Sequence, residues 1–127
     1  MLKPEIKQRW VEALRSGEYK KGKYQLKNSY GEFCCLGVLC DLHSKETGEN
    51  WGIPNTPSTI FIEYLGECST LPEEVMRWAL NSYPCDSSIV TASVEINGRK
   101  GSLINHNDRT IGEPTFLEIA DALDANF

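Results

Sequence analysis

The chain has 127 residues, 24% of them charged and 40% hydrophobic, which suits one compact domain over residues 1–127 and is too little for two ordinary ones. Its formal net charge of −5 is uneven: residues 1–27 carry eight Lys or Arg against Glu5, Glu12 and Glu18, a net +5, and residues 28–127 carry five against fifteen, a net −10. An acidic body argues against duplex DNA, whose nonspecific affinity comes from neutralising many phosphates, but a local basic patch can still hold one small anion.

MLKPEIKQRW has no apolar run after its basic residues, and no stretch approaches the ~18 apolar residues of a membrane span. A soluble, unexported protein is expected. Five cysteines is an odd number, and without a signal peptide they are expected as free thiols in a reducing compartment, or as metal ligands.

Pro4 suits the first turn of a helix, Ile6, Trp10, Ala13 and Leu14 form one apolar stripe, and Gly17 is a stop, so a helix is predicted over about Lys3–Ser16 with a basic outer side. Tyr24 and Leu26 alternate with Lys23, Gln25 and Lys27, which predicts a half-buried strand reaching Asn28 before a turn at Ser29–Glu32. FCCLGVLCDL, Phe33 to Leu42, carries only one charge, Asp41, and can hardly face water on any side. Leu36, Leu39, Cys40 and His43 recur at helical spacing and Gly48 ends the pattern, so a central buried helix is predicted over about 35–47. Gly37 costs that helix about 1 kcal/mol relative to Ala, a cost most easily offset if another backbone comes close there.

GENWGIPNTPSTI, residues 48–60, is loop chemistry with Trp51 as its anchor, and Ile60, Phe61, Ile62, Tyr64 and Leu65 suggest a short strand. Thr70 and Glu73 make a capping-box pattern for a helix over about Leu71–Leu80, burying Leu71, Val75, Trp78 and Ala79. Asn97-Gly98 predicts a type I′ hairpin between strands at about 89–96 and 99–104. Thr115 with Glu118 is a second capping box, before Phe116, Ile119, Ala120 and Leu123. The order implies an α+β domain with four helices packed on a small, mainly antiparallel sheet.

RWVEALRSGEYKKGK, FCCLGVLCDL, LPEEVMRWA and HNDRTIGEPTFLEIADALD together resemble a group of small phage and prophage proteins, over nearly the whole chain. The segment Asn81–Gly101 departs from the group in being longer and more polar. The resemblance implies a phage-encoded accessory protein in the host bacterial cytoplasm, of a kind that modulates or inhibits host functions, defence systems included. It implies no activity.

Three constellations could carry chemistry. Arg15, Lys20, Lys21 and Lys23 surround Gly17 and Gly22, with Tyr19 and Tyr24 between them, offering cations, free amides and aromatic faces to a small anionic or nucleotide-like ligand. The competing reading is a helix C-terminus whose cations complement the dipole. His106, Asn107, Asp108 and Arg109 are the secondary candidate, with a plain turn in which side chains satisfy amide donors as the alternative. Cys40 and His43, three apart, could offer two ligands to zinc in a metal-stabilised domain or small metal-dependent enzyme, although the tight paired spacing of zinc sites is missing. No phosphate-binding loop, dinucleotide fingerprint or acid–base pair stands out. The sequence therefore points to a binding protein and not an enzyme, without a cofactor, directed at a small anionic ligand or a host protein. A homodimer is compatible with its three tryptophans.

Overall fold

The computed structural model describes residues 1–52 and 62–127. The architecture is α+β. Among the described residues there are helices α1 Pro4–Arg15, α2 Cys35–Thr47, α3 Glu73–Ala79, α4 Ser88–Thr91, α5 Leu103–Asn107 and α6 Phe116–Asn126, with strands β1 Lys20–Lys21, β2 Glu32–Phe33, β3 Val94–Ile96 and β4 Arg99–Gly101. The expected four helices are thus six, and the expected single sheet is two separate pairs, β1–β2 parallel and β3–β4 antiparallel. None of the helices is long and apolar enough to cross a membrane.

The helix expected at 35–47 forms and packs against α1, α3, α5 and β2, whereas α6 packs on α1, α5 and β3, so α2 is not the single centre of the fold. Eight α2 residues are buried, from Cys35 through Cys40 and then Leu42 and His43, and Gly48 ends the helix at φ 82°. Cys34 caps its start, the thiol accepting from the Gly37 amide at 3.3 Å. The close approach expected at Gly37 is present: a Cβ placed there would lie 1.7 Å from the Leu26 carbonyl oxygen. α1 buries Ile6, Trp10, Val11 and Leu14 and packs on α2 and α6. Its Trp10 indole donates to the Cys35 carbonyl at 3.0 Å, fixing α1 to the first turn of α2.

The strand predicted through Tyr24–Asn28 does not form. Tyr24 sits at φ 69°, outside strand geometry for an L-residue, and Leu26 spends its amide on Cys68 O at 2.7 Å and its carbonyl on the Cys34 amide. The chain instead swings out after Lys21 and returns at Glu32 in the same direction, which makes β1–β2 parallel.

Asn97 and Gly98, at φ 54° and 79°, supply the predicted hairpin turn, but its strands are shorter than expected. Residues 88–91 close a helical turn, and Ser102 accepts from the Asn105 amide to start α5 where a strand was predicted. The second capping box forms as expected, Thr115 and Glu118 each satisfying the other's backbone amide. The first does not: Thr70 donates to Glu67, and α3 begins at Glu73 with Pro72 as its cap. Trp78 is only half buried, its indole bonded to Glu46 and its ring set edge-on to His43. Residues 53–60 of the predicted loop, and Ile60 and Phe61 of the predicted strand, lie outside the described residues, and Tyr64 makes only an isolated bridge to Glu67.

Candidate functional site

The basic segment leaves α1 through Gly17 at φ 77° and divides its cations among different partners. Arg15 turns to α6, 2.7 Å from Asp121 and 3.9 Å from Asp124. Lys23 pairs with Glu113 at 2.9 Å, and Lys21 with the same carboxylate at 2.7 Å. Lys21 also donates to the Asn107 carbonyl at 2.7 Å. Lys20 is exposed and in no ion pair among the described residues. The predicted cluster is therefore divided: Lys20 lies in β1, Lys23 and Tyr24 on the loop that follows it, and Arg15 works on the α6 side.

Tyr19 also points elsewhere. Its hydroxyl donates to Asp41 at 2.6 Å and accepts from Lys45 at 3.0 Å, and its ring packs edge-on against Phe33. Burial, then the adjacent Asp41 carboxylate, raises its phenol above the ordinary tyrosine range. Asp41 accepts as well from the Trp51 indole at 3.1 Å, which ties Trp51 to α2. From Tyr19 a chain of rings runs through Phe33, Trp51, Tyr64 and His43 to Trp78, centroids 4.8 to 5.9 Å apart. These are ordinary edge and tilted packings, with the Lys27 ammonium over Phe33 and Trp51 and that of Lys45 over Tyr19.

Tyr24 and Tyr30 stand out from this ring chain because they are 60% and 85% exposed. Each is fixed by a neighbouring side chain. The Tyr24 amide donates to Asp108 Oδ1 at 3.0 Å. The amides of Tyr30 and Glu32 both donate to Asn28 Oδ1 at 3.0 Å, an Asx turn completed by Gly31 at φ 77°. Tyr30 lies in the turn predicted at Ser29–Glu32, where Asn-Ser-Tyr-Gly sets an aromatic at the tip.

The secondary candidate underlies this loop. Asn107 is fully buried and fully used: its Oδ1 accepts from the Cys35 amide at 3.1 Å, and its Nδ2 donates to Gly22 O and Asp108 Oδ1 at 3.0 Å each. His106 is buried too, Nε2 donating to Val94 O at 2.8 Å and Nδ1 accepting from Arg109 Nε at 3.3 Å, a pattern that requires the neutral ring. These residues satisfy donors and join α5, α2 and the basic loop, as in the turn reading.

Cys40 is fully buried and His43 bonds Tyr64 Oη through Nδ1 at 2.5 Å. Burial holds the His43 imidazole below its ordinary pKa, pushes the Tyr64 phenol up to about 12 and the Cys34 thiol to about 11, and raises Cys35 and Cys40 as well. Among the described residues no group of three or more His, Cys, Asp or Glu is placed to hold a metal. A thiol reagent at neutral pH is expected to label Cys85, which is exposed, rapidly and half-buried Cys68 slowly, with Cys34, Cys35 and Cys40 reacting only after unfolding. Counting labelled thiols with and without denaturant checks this; prompt labelling of a third cysteine would contradict the inert α2 thiols.

Three clefts lie away from the tyrosines. One of about 360 Å³ between β3 and α6 is lined by acids including Glu95, Glu118 and Asp121. Another, of about 310 Å³, lies between α1 and α6 beside Arg15 and Asp124. A third, of about 270 Å³, is apolar and lined by Leu36, Leu71, Met76, Val90 and Ile104. None is lined by Lys20, Lys23 or Tyr24.

A family model described as "Domain of unknown function (DUF8296)" matches residues 2–127. No curated protein and no solved structure matches the chain.

Proposed function

We propose that this chain, which belongs to the DUF8296 family, is a binding protein that occupies a partner protein through the face from Lys20 to Tyr30. The observation that carries the reading is the pair of exposed tyrosines, Tyr24 and Tyr30, whose backbone amides each donate to another residue's side chain, together with Lys20, exposed and in no ion pair among the described residues. An exposed aromatic on a fixed turn gives a partner large contact area with little ordering entropy still to lose, and Tyr is prominent among the residues that dominate interfaces. A protein partner fits better than a small nucleotide-like ligand, because Tyr19 and Arg15 are engaged elsewhere and the three clefts lie away from this loop. Binding of this kind needs no acid–base pair and no metal.

The resemblance of FCCLGVLCDL and its flanking blocks to phage proteins supports a host protein as the partner and the bacterial cytoplasm as the place of action. The effect on the host is then modulation or inhibition, with defence components as natural candidates. The basic end on an acidic body favours a partner with an acidic surface over duplex DNA.

The double substitution Tyr24→Ala/Tyr30→Ala is expected to leave the melting temperature almost unchanged, since both residues are mostly exposed, while abolishing recovery of the host partner in a pull-down. Loss of two such anchors corresponds to at least a ~100-fold weaker complex. Recovery of the same partner by parent and double variant alike would refute the assignment of this face.

A further inference from the structure

We infer that Lys21 and Lys23 form a carboxylate site that the chain fills with its own Glu113, and that the partner binds by setting an acidic side chain in Glu113's place. The inference rests on the binding reading above and gives it a specific contact. Glu113 spans the two cations, Oε1 on Lys21 at 2.7 Å and Oε2 on Lys23 at 2.9 Å. The cations belong to the rigid side of this contact. Their side chains are only 14% and 24% exposed, and the Lys21 ammonium is fixed by the Asn107 carbonyl at 2.7 Å, itself on α5 against the first turn of α2.

The carboxylate belongs to the irregular side. Glu113 is 38% exposed in the segment between α5 and α6, next to Gly112 at φ 67° and close to Ile111, which is 74% exposed. Swapping one carboxylate for another leaves both ammonium groups paired, so the exchange costs no buried, uncompensated charge. Lys23 directly precedes Tyr24, which places the exchanged anion at the edge of the tyrosine face. Glu113 thereby acts as a competitor: an acidic residue on the partner must displace it, and an uncharged residue gains nothing by doing so.

A hexaglutamate peptide titrated into the full chain tests the exchange without any host protein. Glu113→Gln is expected to bind the peptide about fivefold tighter than the parent, the factor set by losing an exposed ion-pair competitor, with the gain shrinking as salt is added. Glu113→Ala should show the same gain, which guards against an effect of the glutamine amide, and adding Lys23→Met to Glu113→Gln should remove it. Equal peptide affinity in the parent and both Glu113 variants would overturn the inference. Tighter binding of inorganic phosphate without tighter binding of hexaglutamate would overturn it too, by assigning the cations to a small anion. The outcome is separable from that of the tyrosine test. A peptide gain alongside unchanged partner recovery by Tyr24→Ala/Tyr30→Ala keeps the site and rejects the face, and the converse pair of results keeps the face and rejects the site.

Discussion

Gly37→Ala is expected to destabilise the protein by about 3 kcal/mol or more, although the same change in an open helix would stabilise it by about 1 kcal/mol. The added Cβ would sit 1.7 Å from the Leu26 carbonyl oxygen and 2.6 Å from its carbon. Both are backbone atoms, so no rotamer change can relieve the overlap. The backbone at Leu26 must retreat from α2, and that residue holds two hydrogen bonds, from its amide to Cys68 O and from the Cys34 amide to its carbonyl. Overlap plus weakened buried bonds outweighs the propensity gain. Gly48→Ala is the control: its φ of 82° disfavours Ala by about 1 kcal/mol, but nothing lies within 4 Å of the new methyl. Urea unfolding checks both, and a loss of about 3 kcal/mol at a slope of about 2 kcal/mol per molar moves the midpoint by roughly 1.5 M. A midpoint unchanged or raised by Gly37→Ala would mean that the Leu26 backbone does not press on α2.

The need for a close neighbour at Gly37 was legible because a glycine inside an otherwise apolar helix demands a reason. That the neighbour is Leu26 was not, since it depends on the loop from Gly22 to Gly31 folding back instead of extending as a strand. Alternation at Tyr24, Leu26 and Asn28 is a real period-two signal, but it was overruled by tertiary contacts: Leu26 is fully buried while Tyr24 faces water in a left-handed conformation. Signals resting on local chemistry fared better, as at Asn97-Gly98 and at the Thr115–Glu118 capping box. Thr70 and Glu73 show their limit, because Glu67 competes for the Thr70 hydroxyl. In the candidate site, Lys23 and Tyr24 were readable as part of one basic loop. Glu113 was not: a lone carboxylate in a Gly-Glu-Pro loop carries no pattern, and only the fold brings it to Lys21 and Lys23.

Asn107→Leu is the second large effect, and it separates stability from the positioning of the binding face. Leucine fills a similar volume but returns none of the side-chain bonds, leaving the Cys35 amide and the Gly22 carbonyl without the partners Asn107 supplies. Each of these two buried groups so orphaned costs about 1–3 kcal/mol, so a loss of about 2–6 kcal/mol is expected. Gly22 opens the loop that carries Tyr24 and Tyr30, and Asp108, the acceptor for the Tyr24 amide, is itself steadied by Asn107 Nδ2. Amide exchange should therefore quicken across residues 22–31 by more than it does in α6, where the capping box is untouched. Partner binding should weaken as well, even though Asn107 is fully buried and cannot touch the partner, because a loosened loop must be ordered again on binding. Adding Tyr24→Ala/Tyr30→Ala to Asn107→Leu should then cost less than it does in the parent, since both changes act on the same face. A uniform rise in exchange over the whole chain, with the tyrosine substitutions costing the same in either background, would show that Asn107 supports the core alone and leave the loop to be held by Asn28 and Asp108.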